Sequence, residues 1–148
     1  MPLEGEYEPS QWDWVRNQVE EYESSGGTAG LGLLDTGMAC VVVTSRGAKS
    51  GKLRKNPVMR VEHEGKYAAI GSVGGAPQNP AWVYNLRAEP RVELQDGPDK
   101  WDMVAREVTG EEKAEWWARG VAAYPPYDDY QAATSRVIPV FVLEKADS

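Results

Sequence analysis

"MACVVVTSRGAKSGKLRKNPVMRVEHEGKYAAIGS", residues Met38 to Ser72, decides how this chain is read. Met38 to Thr44 is a short β-branched apolar run that predicts a buried strand. A basic loop follows directly. The stretch from Asn56 to Ser72 then divides into two strand-like runs around Glu62-His63-Glu64-Gly65, which predicts a hairpin with His63 at an exposed tip.

Working outward, "SQWDWVRNQVEEYESSGG" upstream places Trp12, Val15, Val19 and Tyr22 at helical spacing, with Ser10 as N-cap and Gly26-Gly27 as stop. This predicts an amphipathic helix within residues 1–25 that packs on the core and turns Glu20, Glu21 and Glu23 outward. Downstream, "GGAPQNPAWVYNLRAEP" predicts a short helix with Asn79 as N-cap, Pro80 at its first position and Pro90 beyond its end. "RVELQDGPDKWDMVAREV" reads as a second hairpin around Asp96-Gly97-Pro98. The capping-box pair Thr109 and Glu112 opens a helix that runs to Tyr124 and stops at Pro125-Pro126, and "IPVFVLE" is a last strand. About six strands and three helices in this order do not alternate as a doubly wound βαβ series does. The expected fold is α+β: a small, mostly antiparallel barrel over residues 26–148 with flanking helices, one domain in all.

The chain has 148 residues and a net charge of −7. Thr44 to Arg60 contributes +6 through Arg46, Lys49, Lys52, Arg54, Lys55 and Arg60, so the remainder sums to −13. Basicity is therefore local, which argues against nucleic acid as a partner and for a small anionic ligand. Cys40 is the only cysteine and His63 the only histidine, so neither a disulfide nor a multi-cysteine metal site is expected. A reducing, cytoplasmic setting follows, since no apolar run approaches the length of a membrane span. Neither GxGxxG nor GxxxxGK[ST] occurs.

Lys49, Lys52, Arg54 and Lys55 fall within seven residues around Ser50-Gly51. A turn there would gather their heads and some backbone N–H groups into one concavity suited to phosphate or carboxylate. A solvated turn that keeps a hairpin edge soluble is the alternative account of such charges. The helix N-terminus at Asn79-Pro80 is a second anion-friendly element. Two such elements suggest a ligand with more than one acidic group, although spacing alone does not bring them together.

Three segments, "TSRGAKSGKLRKNPV", "GSVGGAPQNPAWVYNL" and "AAYPPYDDYQAATSRVIPVFVLE", in this order resemble the deazaflavin-dependent nitroreductase family. The resemblance runs from about Gly26 to the end of the chain. It implies a split β-barrel related to the FMN-binding oxidoreductases, with coenzyme F420 as cofactor. It also implies cofactor-tail contacts at Ala48, Lys49, Ser50, Arg54, Lys55, Asn56 and Pro57. Val58, Met59, Ile70, Gly71, Ser72 and Val73 would lie beside the deazaflavin ring, and Ala81, Trp82, Val83, Tyr84 and Asn85 along its other contacts. The sequence departs from the commoner family pattern at Ala48, Leu53 and Val73.

The implied reaction is hydride transfer from reduced F420 to a small activated acceptor: a quinone, an enone or unsaturated lactone, or a nitroaromatic. Such a protein must orient donor and acceptor and stabilise or protonate the anion that forms. Tyr124, Tyr127 and Tyr130 recur every three residues, which on a short helix or turn aims their hydroxyls to one side. A phenol of pKa about 10 can donate a hydrogen bond at neutral pH. The resemblance places these tyrosines and Ser72 around the acceptor, with Tyr127 also near the cofactor. A monomer is expected, with weak peripheral contact to a membrane surface as a route to quinone. The alternative is a split-barrel protein that binds FMN or another cofactor for storage or sensing, without this turnover.

Overall fold

The computed structural model describes residues 6–8, 13–25, 40–71, 81–97, 99–133 and 137–145. Among them lie seven strands: Cys40–Arg46 (β1), Leu53–Met59 (β2), Glu62–His63 (β3), Lys66–Ile70 (β4), Arg91–Asp96 (β5), Asp99–Glu107 (β6) and Val140–Lys145 (β7). Four helices accompany them: Asp13–Ser24 (α1), Ala81–Ala88 (α2), Gly110–Ala123 (α3) and Pro126–Ala133 (α4). The strands form one sheet in the order β2-β1-β5-β6-β7-β4-β3, and its pairings are antiparallel throughout. Both expected hairpins are present, β3 with β4 and β5 with β6, but the first turns at Glu64-Gly65 alone, with Glu62 and His63 in its leading strand. No helix among the described residues is long and apolar enough to cross a membrane.

Alternation along each strand sorts the core into layers. Val41 and Val43 of β1 face inward with Val58, Tyr67, Leu94, Met103, Phe141 and Leu143, and α2 closes this interior with Val83 and Leu86. β2 and β4 stand first and sixth in the sheet yet touch, so the sheet curls into a half-barrel around that interior. The Tyr67 hydroxyl fastens the curl by donating to Asp96 Oδ2 at 2.5 Å, and Arg60 Nε bonds the two Asp96 oxygens at 3.1 and 3.0 Å.

The outer face carries two separate covers. Val15, Val19 and Tyr22 of α1 bury Cys40 and Val42, which makes the first helix a packing element as expected. Cys40 is accordingly a buried thiol whose pKa burial raises to about 11. α3 and α4 lay Trp116 and Tyr127 over Met59, Ala68, Ile70, Val140 and Val142.

Three expectations change. β2 begins at Leu53 rather than Asn56, so Arg54, Lys55 and Asn56 belong to a strand paired in full with β1. Because β2 lies at the sheet edge, its charged side chains are tolerated there and mask the strand pattern. The capping box at Thr109 does not form, since that residue makes no side-chain cap bond and Glu112 accepts from Arg106 at 2.5 and 2.9 Å. Gly110 enters the helix at φ +63°, a conformation that suits glycine. Pro126 opens a further helix, α4, at the first position where its missing N–H costs nothing.

Candidate active site

The turn between β1 and β2 is closed by Gly47 N–H to Lys52 O at 2.7 Å and Gly51 N–H to Gly47 O at 3.0 Å. Arg46 adds a bond to Gly51 O at 2.8 Å. The Ala48 N–H points to α2 and is accepted by the side-chain oxygen of the buried Asn85 at 2.9 Å. The cationic turn and the α2 segment, only separately visible in the sequence, therefore meet in space. Ser50 Oγ accepts the Lys52 N–H at 3.2 Å, and Lys49 and Ser50 are exposed.

Three of the four clustered cations hold carboxylates. Arg54 pairs with Glu8 at 2.9 Å, Lys55 with Glu23 of α1 at 2.5 Å, and Lys52 with Glu6 at 3.9 Å. Lys49 makes no ion pair among the described residues. Strand alternation divides the remaining candidates on β2. Lys55, Pro57 and Met59 share the outer face, while Arg54, Asn56 and Val58 turn the other way, and Val58 is packed in the half-barrel interior.

At the far end of β2, Met59 and Ile70 join Tyr127 in the outer cluster, with Tyr124 and Tyr130 packed against it. The ring of Tyr127 lies 5.3 Å from that of Tyr124 and 6.3 Å from that of Tyr130. The Tyr124 and Tyr130 hydroxyls are hydrogen-bonded at 2.8 Å. Tyr127 is 4% exposed, and its hydroxyl makes no hydrogen bond among the described residues. Burial, then the neighbouring Tyr124 and Tyr130, push its pKa well above the ordinary phenol value, so it is a neutral donor across the physiological range. Asp128 ties α4 to α3 by accepting from Trp117 Nε1 at 2.7 Å. An open groove of ≈ 710 Å³ runs along α3 and α4 past Trp117, Val121 and Gln131.

The other candidates are scattered. Gly71 is buried, with its N–H on Pro139 O at 3.0 Å. On α2, Val83 has no exposed surface, Trp82 packs on Phe141 at 6.0 Å, and Tyr84 is half exposed beside Arg87. Ala81 is the first residue of α2. Ser72, Val73 and the expected cap at Asn79-Pro80 lie outside the described residues.

Sequence reasoning did not find Gly120 of α3. A Cβ there would stand 2.6 Å from Ile70 Cδ1 and 3.4 Å from Tyr127 Cδ2, so its bare backbone lets α3 close on the ring cluster. The available signal was a glycine in mid-helix, which lowers helix propensity and so points to close packing. The roles of Glu6, Glu8 and Glu23 were also missed, since no local pattern links them to cations thirty or more residues away.

The chain is thus a split-barrel protein in which one edge strand joins a cationic turn to a cluster of tyrosines. It belongs to the F420H(2)-dependent quinone reductase family, whose model matches residues 14–145. It is 31% identical over 108 residues to an F420H(2)-dependent quinone reductase of Mycobacterium tuberculosis, covering 71% of this chain and 72% of that one. Among solved structures, an F420-H2 dependent reductase, FDR-A, is 52% identical with a TM-score of 0.68, covering 71% of this chain and 93% of that chain. A domain-swapped dimer is 49% identical with a TM-score of 0.70, covering 91% of this chain and 100% of that chain.

Proposed function

We propose that this protein reduces a quinone with the reduced form of coenzyme F420. The single observation that carries the reading is the continuity of β2, whose outer face runs from Lys55 beside the cationic turn to Met59 beside Tyr127. Four residue steps along the strand separate the two, about 13 Å at roughly 3.3 Å per step. A cofactor with an aromatic head and a tail bearing a phosphodiester and several glutamates fits that layout of donors.

Lys49, Lys52, Arg54 and Lys55 bind the tail, and the Asn85 bond to Ala48 holds the turn in shape for it. Met59 and Ile70 give the ring an apolar seat. Reduced deazaflavin, when bound, supplies two electrons together as a hydride. Reducing a quinone to a hydroquinone takes one hydride and one proton, and the chain must provide or relay the proton. Tyr127 is the candidate donor: its phenol is neutral, its side chain is buried, its hydroxyl makes no hydrogen bond among the described residues, and a hydrogen bond from it to the quinone oxygen would stabilise the charge that develops there. Tyr124 and Tyr130, whose hydroxyls are bonded to each other, pack their rings against Tyr127 and hold it in place.

The test is Tyr127→Phe in an anaerobic assay of F420H(2) oxidation by a soluble naphthoquinone. The expected result is a fall in kcat of about 100-fold, within the range of general-acid contributions, with F420 affinity within twofold of wild type. Unchanged kcat would remove the donor role.

A further inference from the structure

Residues 6–8 run along the free edge of β2. Leu53 N–H donates to Glu6 O at 2.7 Å, Glu8 N–H donates to Leu53 O at 2.9 Å, and Tyr7 forms a parallel bridge with Leu53. The Tyr7 ring lies 4.9 Å under the Lys55 ammonium. Glu8 pairs with Arg54, Glu6 with Lys52, and Glu23 of α1 with Lys55. Arg54 and Lys55 are adjacent on a strand, so their side chains leave it on opposite faces. The one line from which a single extended ligand reaches both is the strand edge, and the 6–8 segment occupies it.

We infer that Glu8 and Glu23 are specificity-determining residues, internal carboxylates that a cofactor tail must replace on Arg54 and Lys55. The inference rests on the F420 reading above. Binding at this edge is an exchange of ion pairs. A ligand that brings several acidic groups replaces both carboxylates and retains the cations' partners. A ligand with a single phosphate that enters this edge displaces both carboxylates but supplies a counter-charge to only one cation, an unfavourable trade where the Lys55 and Glu23 side chains are only 20% and 26% exposed. The strap thereby selects for a polyanionic tail without touching the ring.

The test titrates wild type, Glu8→Gln, Glu23→Gln and the double variant with F420 and, separately, with FMN, and follows amide exchange at Glu8 and Leu53 in wild type with and without F420. Expected are F420 binding about three- to tenfold tighter in the double variant, the change that freeing two partly exposed pairs corresponds to, a gain in FMN affinity at least as large, and faster exchange at both amides when F420 binds. If wild type binds F420 but the variants bind both ligands unchanged and the two amides stay protected, the exchange idea is overturned while the cofactor reading stands. If neither wild type nor the double variant binds F420, the cofactor reading falls and this inference with it.

Discussion

The side-chain oxygen of Asn85 on α2 accepts the backbone N–H of Ala48 in the cationic turn at 2.9 Å, across 37 positions of sequence. Asn85 is 8% exposed and Ala48 is exposed, so the bond lies at the edge of the buried interior and sets the turn against the helix. Asn85→Ala removes the acceptor of the Ala48 N–H, a loss of about 0.5–1.5 kcal/mol for a part-buried hydrogen bond. We expect denaturant stability to fall by that order and F420 affinity to fall about tenfold, because the turn no longer presents Lys49 and Lys52 in one arrangement. Affinity that is unchanged in a folded variant would separate the turn from cofactor binding.

Gly120 is the second backbone position on which the site depends. An added Cβ would press on Ile70 Cδ1 at 2.6 Å and come into contact with the Tyr127 ring at 3.4 Å. Overpacking costs about 1–3 kcal/mol, and the better helix propensity of alanine returns up to about 1 kcal/mol. Gly120→Ala should therefore lose about 1 kcal/mol in urea melts while its kcat falls by more than that change in stability implies, through displacement of Tyr127.

The tyrosines make stability sensitive to alkaline pH. Burial comes first in raising both Tyr127 and Tyr67, followed by Tyr124 and Tyr130 for the former and by the Asp96 bond for the latter. Their ordinary value is 10.0, which the unfolded chain keeps. Between that value and the raised one, the unfolded chain has released protons that the folded chain retains, so stability present in full below about pH 10 is lost as pH rises through the folded values. Denaturant midpoints from about pH 8 to about pH 11.5 should be flat and then fall. Tyr127→Phe should fall less steeply, and an equal slope would show that Tyr127 is not the titrating group.

The sequence showed most of the fold and part of the site, for reasons visible in single elements. β1 and the two hairpins carry apolar or alternating runs with turn residues between them, and those patterns follow from burial on one or both faces. β2 was partly hidden because Arg54, Lys55 and Asn56 stand on a sheet edge, where polarity is no argument against a strand. The tyrosine spacing was legible because Tyr124, Tyr127 and Tyr130 lie in one short stretch. The Asn85–Ala48 bond, the carboxylates of Glu8 and Glu23 and the close approach at Gly120 were not, since each depends on partners remote in sequence and on the curl of the sheet.

Titration of F420 into the protein at moderate and at high salt, with FMN in parallel, tests whether the cationic turn and β2 bind a deazaflavin. We expect tight binding of F420, weakened by salt because the contacts are partly exposed ion pairs, and weak binding of FMN at either salt concentration. Preference for FMN, or F420 binding that salt leaves unchanged, would contradict this expectation.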